Sequence, residues 1–330
     1  MKKHLGTAIK FALSLGVGLL IVWFTFSRLS DEDRAVMRSA FANANYWWLA
    51  LGAVLNLSSN FFRAERWRML LKPLGYRPHF FNTFLSIIVM YFSNLLFPRL
   101  GEVLRCEILR RYEKIPLDKS IGTMVTERVV DVLSLLVVGG FLMLVEGERF
   151  YQSYAETQEK LKGFSNSPVF SYIFYGIAGA VILFVAYKVI TDKTWIGRLT
   201  NFMKGILEGL KSVFKTGNMP LFLFHTAAIW ACFIFNTYVC FFALTETAGL
   251  SPIAAMGATF FGALAYTAVQ GGVGAYPLIM QYFLLAYGIQ ATTGFAFGWL
   301  AWSFVTAAVL VAGMTALIAL TLFNRSNDAT

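Results

Sequence analysis

Charge is scarce in this chain: 14% of its 330 residues are Asp, Glu, Lys or Arg, against 57% that are hydrophobic. A soluble domain carries about a quarter of its residues as charges, so a water-soluble fold is excluded. Long alternation of apolar and polar residues is also absent, which removes a transmembrane barrel. Three cysteines offer no disulfide framework, because Cys232 and Cys240 share one apolar run and Cys106 sits in another. His4, His79 and His225 are scattered, and neither HExxH nor paired-cysteine spacing marks a metal site. There is no Walker-type phosphate loop and no convergent Ser–His–Asp set. The sequence therefore implies no cofactor, no metal and no ATP hydrolysis.

Apolar runs of about 20 residues, the length needed to cross hydrocarbon, recur from end to end. Six read as full crossings, at 7–27, 46–62, 120–145, 172–191, 219–244 and 294–323. The first has a basic start but a long core and no small-residue cleavage site, so it reads as a retained helix and not a signal peptide. Two more apolar regions, 80–112 and 252–289, are each broken in the middle by glycine or proline.

The net charge of +10 does not point to nucleic acid, because the basic residues lie between apolar runs. They report topology instead. With a cytoplasmic N-terminus and both broken regions re-entrant, 20 of the 28 Lys and Arg residues fall on the cytoplasmic side and 6 outside. A single crossing at 80–112 would split the basic clusters at 63–77 and 105–119 between the two faces. The fold expected is thus an all-α polytopic membrane protein with six transmembrane helices and two re-entrant helical hairpins. Residues 1–145 form a first repeat and 172–323 a second, inverted because each holds three crossings, with both termini cytoplasmic. Inverted repeats with interrupted segments at matching places point to a transporter site where the hairpin tips meet. Eight ordinary helices, two of them kinked, are the alternative. Residues 146–171 are an external loop of partly helical character, 193–216 an amphipathic segment on the cytoplasmic surface, and 324–330 a tail.

Four stretches carry chemistry. "YFSNLLFPRLGEVLRCEILRR" (91–111) brings Asn94, Pro98, Arg99, Gly101, Glu102 and Arg105 to the first hairpin. Each charge at the bilayer centre costs about 2.5–3.5 kcal/mol on the lenient insertion scale, so these side chains do not face lipid tails. Arg99 at the tip suits a phosphate, whose oxygens match a guanidinium fork; an internal ion pair of Glu102 with Arg99 or Arg105 is the structural alternative. "TMVTERVVDVL" (123–133) puts Glu127, Arg128 and Asp131 on one side of a crossing helix, either as coupling groups or as a fixed ion-pair lattice. "FFRAERWRMLLKPLG" (61–75) ends the second crossing with Arg63 and Arg66 and with Trp67 as an interfacial ring. This cluster either anchors the cytoplasmic face or turns Arg63 and Arg66 inward to a headgroup. "AYTAVQGGVGAYP" (265–277) is the second break, where Gln270, Gly271, Gly272, Gly274 and Tyr276 offer neutral hydrogen bonding. Free N–H groups at the helix start also suit an anion.

The runs "RAERWRMLL", "FSNLLFPRLGEVLRCEILRR", "TERVVD" and "QGGVGAYP" resemble the lysylphosphatidylglycerol synthase transmembrane-region family, also called the flippase-like domain family. The resemblance covers essentially the whole chain. It implies a translocator of lipid or lipid-linked headgroups, with Asn94, Arg99, Glu102, Arg105, Glu127, Arg128 and Asp131 as the matching polar positions. The family's aminoacyl-transferase domain is not found in these 330 residues, so synthesis of lysyl-lipid is not expected. The late motif, usually proline-rich before its glycines and glutamate-terminated, reads "QGGVGAYP" here, which leaves the substrate's charge open.

The expected function is a flippase or scramblase-like transporter in a bacterial cytoplasmic membrane. Its partner is a membrane phospholipid or a polyprenyl-phosphate lipid. Two alternatives stand beside it: a membrane-embedded enzyme acting on a lipid phosphate, and a non-catalytic partner of envelope-biogenesis enzymes such as a glycosyltransferase. Lipid identity, direction, coupling and oligomeric state are left open by the sequence.

Overall fold

The computed structural model describes residues 16, 19–27, 29–97, 100–165 and 217–327. Pro98, Arg99, the crossing expected at 172–191, the amphipathic segment at 193–216 and most of the first crossing lie outside the described residues. Every regular element among those described is a helix. That is what a hydrocarbon environment demands of an open chain, since helices satisfy their own backbone polar groups.

Between the first two apolar runs lies a short helix, α1 (Asp31–Asn43). Its start is fixed by a capping box: Ser30 Oγ accepts from the Asp33 amide at 3.1 Å, and the Asp33 carboxylate accepts from the Ser30 amide at 3.2 Å. Next comes α2 (Tyr46–Leu71), capped by Asn45 and stopped by a 3-10 turn with Pro73 and a left-handed Gly75. Its 26 residues span about 39 Å.

The first broken region folds as two helices, α3 (Phe80–Leu96) and α4 (Leu100–Glu113). They run antiparallel. At the base Asn82 Nδ2 donates to Glu113 Oε1 at 2.6 Å, and near the tip Gly101 packs directly on the Met90 carbonyl. A Cβ at Gly101 would overlap that oxygen, so only glycine permits the approach. At 17 and 14 residues these helices extend about 25 and 21 Å, short of a 30 Å hydrocarbon core.

A long helix follows, α5 (Leu117–Ser165), which continues as helix into the connection expected at 146–171. The second half begins with α6 (Met219–Phe241), capped by Asn218. Its broken region is again an antiparallel pair, α7 (Pro252–Ala268) and α8 (Ala275–Leu285), with Gly257 against Phe283 and Gly262 against Tyr276. The last helix is α9 (Ala291–Asn327). Stretches of α5 (Leu117–Gln152), α6 (Met219–Phe241) and α9 (Ala291–Asn324) are long and apolar enough to cross a membrane.

The two halves interlock. α2 and α6 pack antiparallel, with Gly52 beside Asn236 and Cys240 at one end and Arg66 beside Phe222 and Thr226 at the other. Each closing helix then rests on the other half's hairpin: α9 on α3 through Gly313 and Phe92, and α5 on α7 through Gly139 and Phe260. α1 is held to α9 by Thr292 Oγ1, which donates to Asp33 Oδ1 at 2.5 Å. That hydrogen bond, followed by those from Ser30, holds the Asp33 carboxyl below the usual carboxylate range.

The hairpin bases lie at opposite ends of α2. The base of α3–α4 follows the C-terminal end of α2, where Arg68 Nε donates to the Pro78 carbonyl at 3.0 Å. At the other end, Asn45 N donates to the Ala243 carbonyl at 2.8 Å, and the chain from there leads into α7.

Candidate functional site

The polar centre is assembled by three helices of the first half. On α2, residues Ser59, Asn60, Arg63, Arg66, Trp67 and Leu70 are all buried and recur at helical spacing, so this face points inward. α5 supplies Glu127 and Asp131, four apart and hence on one side, and α4 supplies Arg105.

Two carboxylates hold most of this centre together. Arg63 Nη1 donates to Glu127 Oε1 and to Asp131 Oδ2, both at 2.7 Å. Arg66 Nη2 donates to Asp131 Oδ1 at 2.6 Å and to Glu127 Oε1 at 3.4 Å, while its Nη1 donates to Thr226 Oγ1 of α6 at 3.3 Å. Arg105 Nη2 lies 2.9 Å from Glu127 Oε2, an ion pair and not an aligned hydrogen bond. The Arg105 guanidinium lies 4.4 Å from the centre of the Trp67 ring, a cation–π contact in a fully buried setting.

Arg128 is held differently. Its Nη1 is 3.6 Å from Asp131 Oδ2 and, among the described residues, its Nη2 donates only to the Met90 thioether, 3.6 Å away. Its Nε is buried with no hydrogen-bond partner among the described residues, although 38% of the side chain is exposed.

Arg63 and Arg66, for which a surface anchor and an inward role were both open, turn inward. Arg68 forms the surface pair of that cluster, with Glu65 at 2.8 Å. Trp67 corrects an expectation: it is fully buried, not an interfacial ring, because its indole covers Arg105 and its Nε1 donates to Thr123 Oγ1 at 3.0 Å. Glu102 pairs with no guanidinium among the described residues, and its Oε2 is buried without a hydrogen-bond partner. Asn94 acts at the tip, where its Oδ1 accepts from the Gly101 amide at 2.9 Å.

The second hairpin reaches this tip. Gln270 Nε2 donates to the Asn94 carbonyl at 3.0 Å, across 176 residues of chain. Gly271, Gly272 and Gly274 all adopt positive φ (62°, 68° and 70°), which lets the chain turn back within the six residues 269–274. The Gly271 carbonyl accepts from Trp302 Nε1 of α9 at 2.7 Å, and Tyr276 is buried against Gly262 with its ring 5.5 Å from that of Tyr266. No charged side chain takes part in these contacts.

Sequence reasoning did not single out Trp302, Thr226, Met90 or Trp67 for this centre. Trp67 and Arg63 sit one helical turn apart on the buried face, a phase readable from the sequence. The others come from distant segments and left no local signal. Among the described residues, no group of three His, Cys, Asp or Glu side chains is placed to hold a metal ion.

Hairpins of short helices, a buried arginine–carboxylate cluster and long apolar helices define a polytopic membrane protein with a polar centre. Residues 9–313 match the model of the lysylphosphatidylglycerol synthase transmembrane region, and the chain belongs to that family. It is similar to the UPF0104 membrane protein of Methanocaldococcus jannaschii, with 31% identity over 109 residues, covering 31% of this chain and 32% of that one. It is also similar to the glycosyltransferase AglD of Haloferax volcanii, with 27% identity over 113 residues, covering 34% of this chain and 18% of that one. The chain thus aligns with a third or less of the length of these relatives. No solved structure matches it.

Proposed function

We propose that this protein moves a phosphate-bearing lipid headgroup across a bacterial cytoplasmic membrane. One observation carries the reading: four guanidinium groups, of Arg63, Arg66, Arg105 and Arg128, surround only two carboxylates, those of Glu127 and Asp131. Glu102, nearby on α4, still leaves the cluster cationic. A buried charge is tolerated when it is paired, and an uncompensated one is costly. An anionic headgroup supplies the missing charge, and phosphate oxygens fit guanidinium geometry.

The topology that goes with this function has six crossings and two re-entrant hairpins as an inverted repeat, with both termini cytoplasmic. Support comes from the antiparallel pairing of α2 with α6, the reciprocal packing of α9 and α5 on the opposite hairpins, and the tip contact between Gln270 and Asn94. Arg63 lies eight residues from the end of α2, about 12 Å along its axis, and in this proposed topology the cluster would fall in the cytoplasmic half of the bilayer. Substrate groups of the first hairpin are Asn94, Arg99 and Glu102, while Arg105 is held in the ion-pair frame. The second tip adds Gln270, the Gly271–Gly274 backbone and Tyr276, and Glu127 and Asp131 hold the frame. Acyl or prenyl tails stay in lipid while the headgroup passes the centre.

Reconstitution into vesicles with labelled phosphatidylglycerol, and separately with a labelled polyprenyl phosphate, tests the reading. Headgroup crossing faster than in protein-free vesicles is expected for at least one of the two. Crossing at the protein-free rate for both would contradict transport. A second reading, action on a lipid phosphate or partnership with an envelope glycosyltransferase, draws on the likeness to AglD. It predicts chemical conversion of the lipid, or capture of such an enzyme, without headgroup movement.

A further inference from the structure

We propose that Arg128 is the residue that grips the phosphate group of the lipid, whereas Arg63, Arg66 and Arg105, with Glu127 and Asp131, form the fixed frame that positions it. This assignment rests on the transport reading above and narrows it to one side chain.

The argument is a distribution of partners. Glu127 Oε1 takes hydrogen bonds from Arg63 and Arg66, and its Oε2 faces Arg105 at 2.9 Å. Asp131 Oδ1 takes Arg66 at 2.6 Å and Oδ2 takes Arg63 at 2.7 Å. All four carboxylate oxygens are therefore engaged before Arg128 is considered. Among the described residues, what remains for Arg128 is a 3.6 Å approach to an oxygen already bound to Arg63, and a thioether, which is a weak acceptor. The surplus positive charge of the cluster is localised on this guanidinium.

Arg128 is also the one of these four arginines with an open side. Arg63, Arg66 and Arg105 are sealed from solvent and lipid, and Arg105 is further covered by Trp67. Arg128 shares its face of α5 with the exposed apolar side chains Ile121, Val125, Val132 and Leu136, spaced three or four residues apart. A lipid lying along this stripe would keep its tails on Val132 and Leu136 and present its phosphate to the guanidinium. That placement favours a lipid phosphate over a free one, because a dissolved anion gains nothing from the apolar flanks.

Exchange of partners needs no rearrangement of the frame. When a phosphate arrives, Arg128 gives up a long contact to Asp131 and gains a charge-assisted pair, while the other three arginines keep their carboxylates.

Binding to the purified full-length protein tests the assignment, with three probes: short-chain phosphatidylglycerol, the matching diacylglycerol without phosphate, and inorganic phosphate. The wild type is expected to prefer the phosphate lipid to both others. Arg128→Gln is expected to weaken binding of the phosphate lipid about tenfold, leave diacylglycerol unchanged, and melt within a few degrees of the wild type. Arg110→Gln, in an exposed pair with Glu107, should change nothing. Unchanged affinity of Arg128→Gln for the phosphate lipid would overturn the assignment. Inorganic phosphate binding as tightly as the lipid would overturn it too. Should Arg128→Gln fail to fold, Arg128→Lys keeps the charge but loses the planar fork. It should then bind the phosphate lipid about threefold more weakly, and unchanged binding would again refute the proposal. Transport by the wild type alongside unaltered binding by Arg128→Gln sinks this assignment and leaves the transport reading intact. A wild type with no preference for phosphate removes both.

Discussion

The two hairpins pose the same physical problem and solve it with different chemistry. Each is a pair of short helices, 17 with 14 residues and 17 with 11. The first is fastened to its surroundings by charge: Arg105 meets Glu127 and Trp67, and through Glu127 is tied to Arg63 and Arg66. The second is fastened by neutral groups, with Trp302 on the Gly271 carbonyl, Gln270 on the Asn94 carbonyl, and aromatic packing around Tyr276. An ionic fastening is stiff because removing any one partner leaves a buried charge behind. A neutral one can be remade at low cost. On the transport reading proposed above, substrate charge recognition would fall to the first half and rearrangement to the second.

The largest effect should come from breaking the ionic half. Glu127→Gln strips three arginines of a shared partner and should cost about 3–5 kcal/mol of stability, read as a large fall in melting temperature of the purified protein. Close behind is Gly101→Ala. The added methyl meets the Met90 backbone, which cannot swing aside, so a loss of about 3 kcal/mol is expected by the same measurement. The matching change in the neutral half, Gly262→Ala, meets first the Tyr276 side chain and not backbone, and should cost about 1 kcal/mol. Equal losses for the two glycines would erase the contrast.

Smaller still is Gln270→Ala, which removes one tip-to-tip hydrogen bond and should destabilise by about 1 kcal/mol. If tip contact gates the centre, the same variant should raise the rate of headgroup crossing. At the outer helix the effect is a matter of pH. The Asp33 carboxyl is held low, so the attachment of α1 to α9 is fully present above the ordinary carboxylate pKa and is lost as pH falls through the lowered folded value. Hydrogen exchange of α1, corrected for the intrinsic pH dependence of amide exchange, should therefore be flat from neutral pH down to about 4 and rise below it. Thr292→Val should move that rise to higher pH.

Much of this was legible in the sequence. The interrupted apolar runs at 80–112 and 252–289 became the two helical pairs, because glycine and proline at their centres leave no other path for the backbone. Arg105, Glu127 and Asp131 stood out because charge within apolar helices is expensive and must converge on partners, whereas Arg63 was open between a surface anchor and an inward role. Their pairing was not legible. Nothing local to Arg66 announces Thr226, which is 160 residues away. Trp67 misled for a physical reason, since a tryptophan next to basic residues has the same local appearance whether it faces headgroups or an arginine. Its position in phase with Arg63 was the better guide. The neutral tip was readable as a turn from its glycines, but the anchoring by Trp302 depends on how α9 lies over it.

The account stands on a water-lined meeting of the two tips at mid-depth, and spin-label accessibility measures that directly. With the native cysteines replaced by alanine, labels at Leu96→Cys, beside the first tip, and Leu136→Cys, on the outer face of α5, are compared for collision with a nickel chelate and with oxygen in a reconstituted bilayer. The account predicts that position 96 collides mainly with the chelate, as in a wet cavity, and that position 136 collides mainly with oxygen, as in lipid. Oxygen-dominated collision at both positions would contradict it.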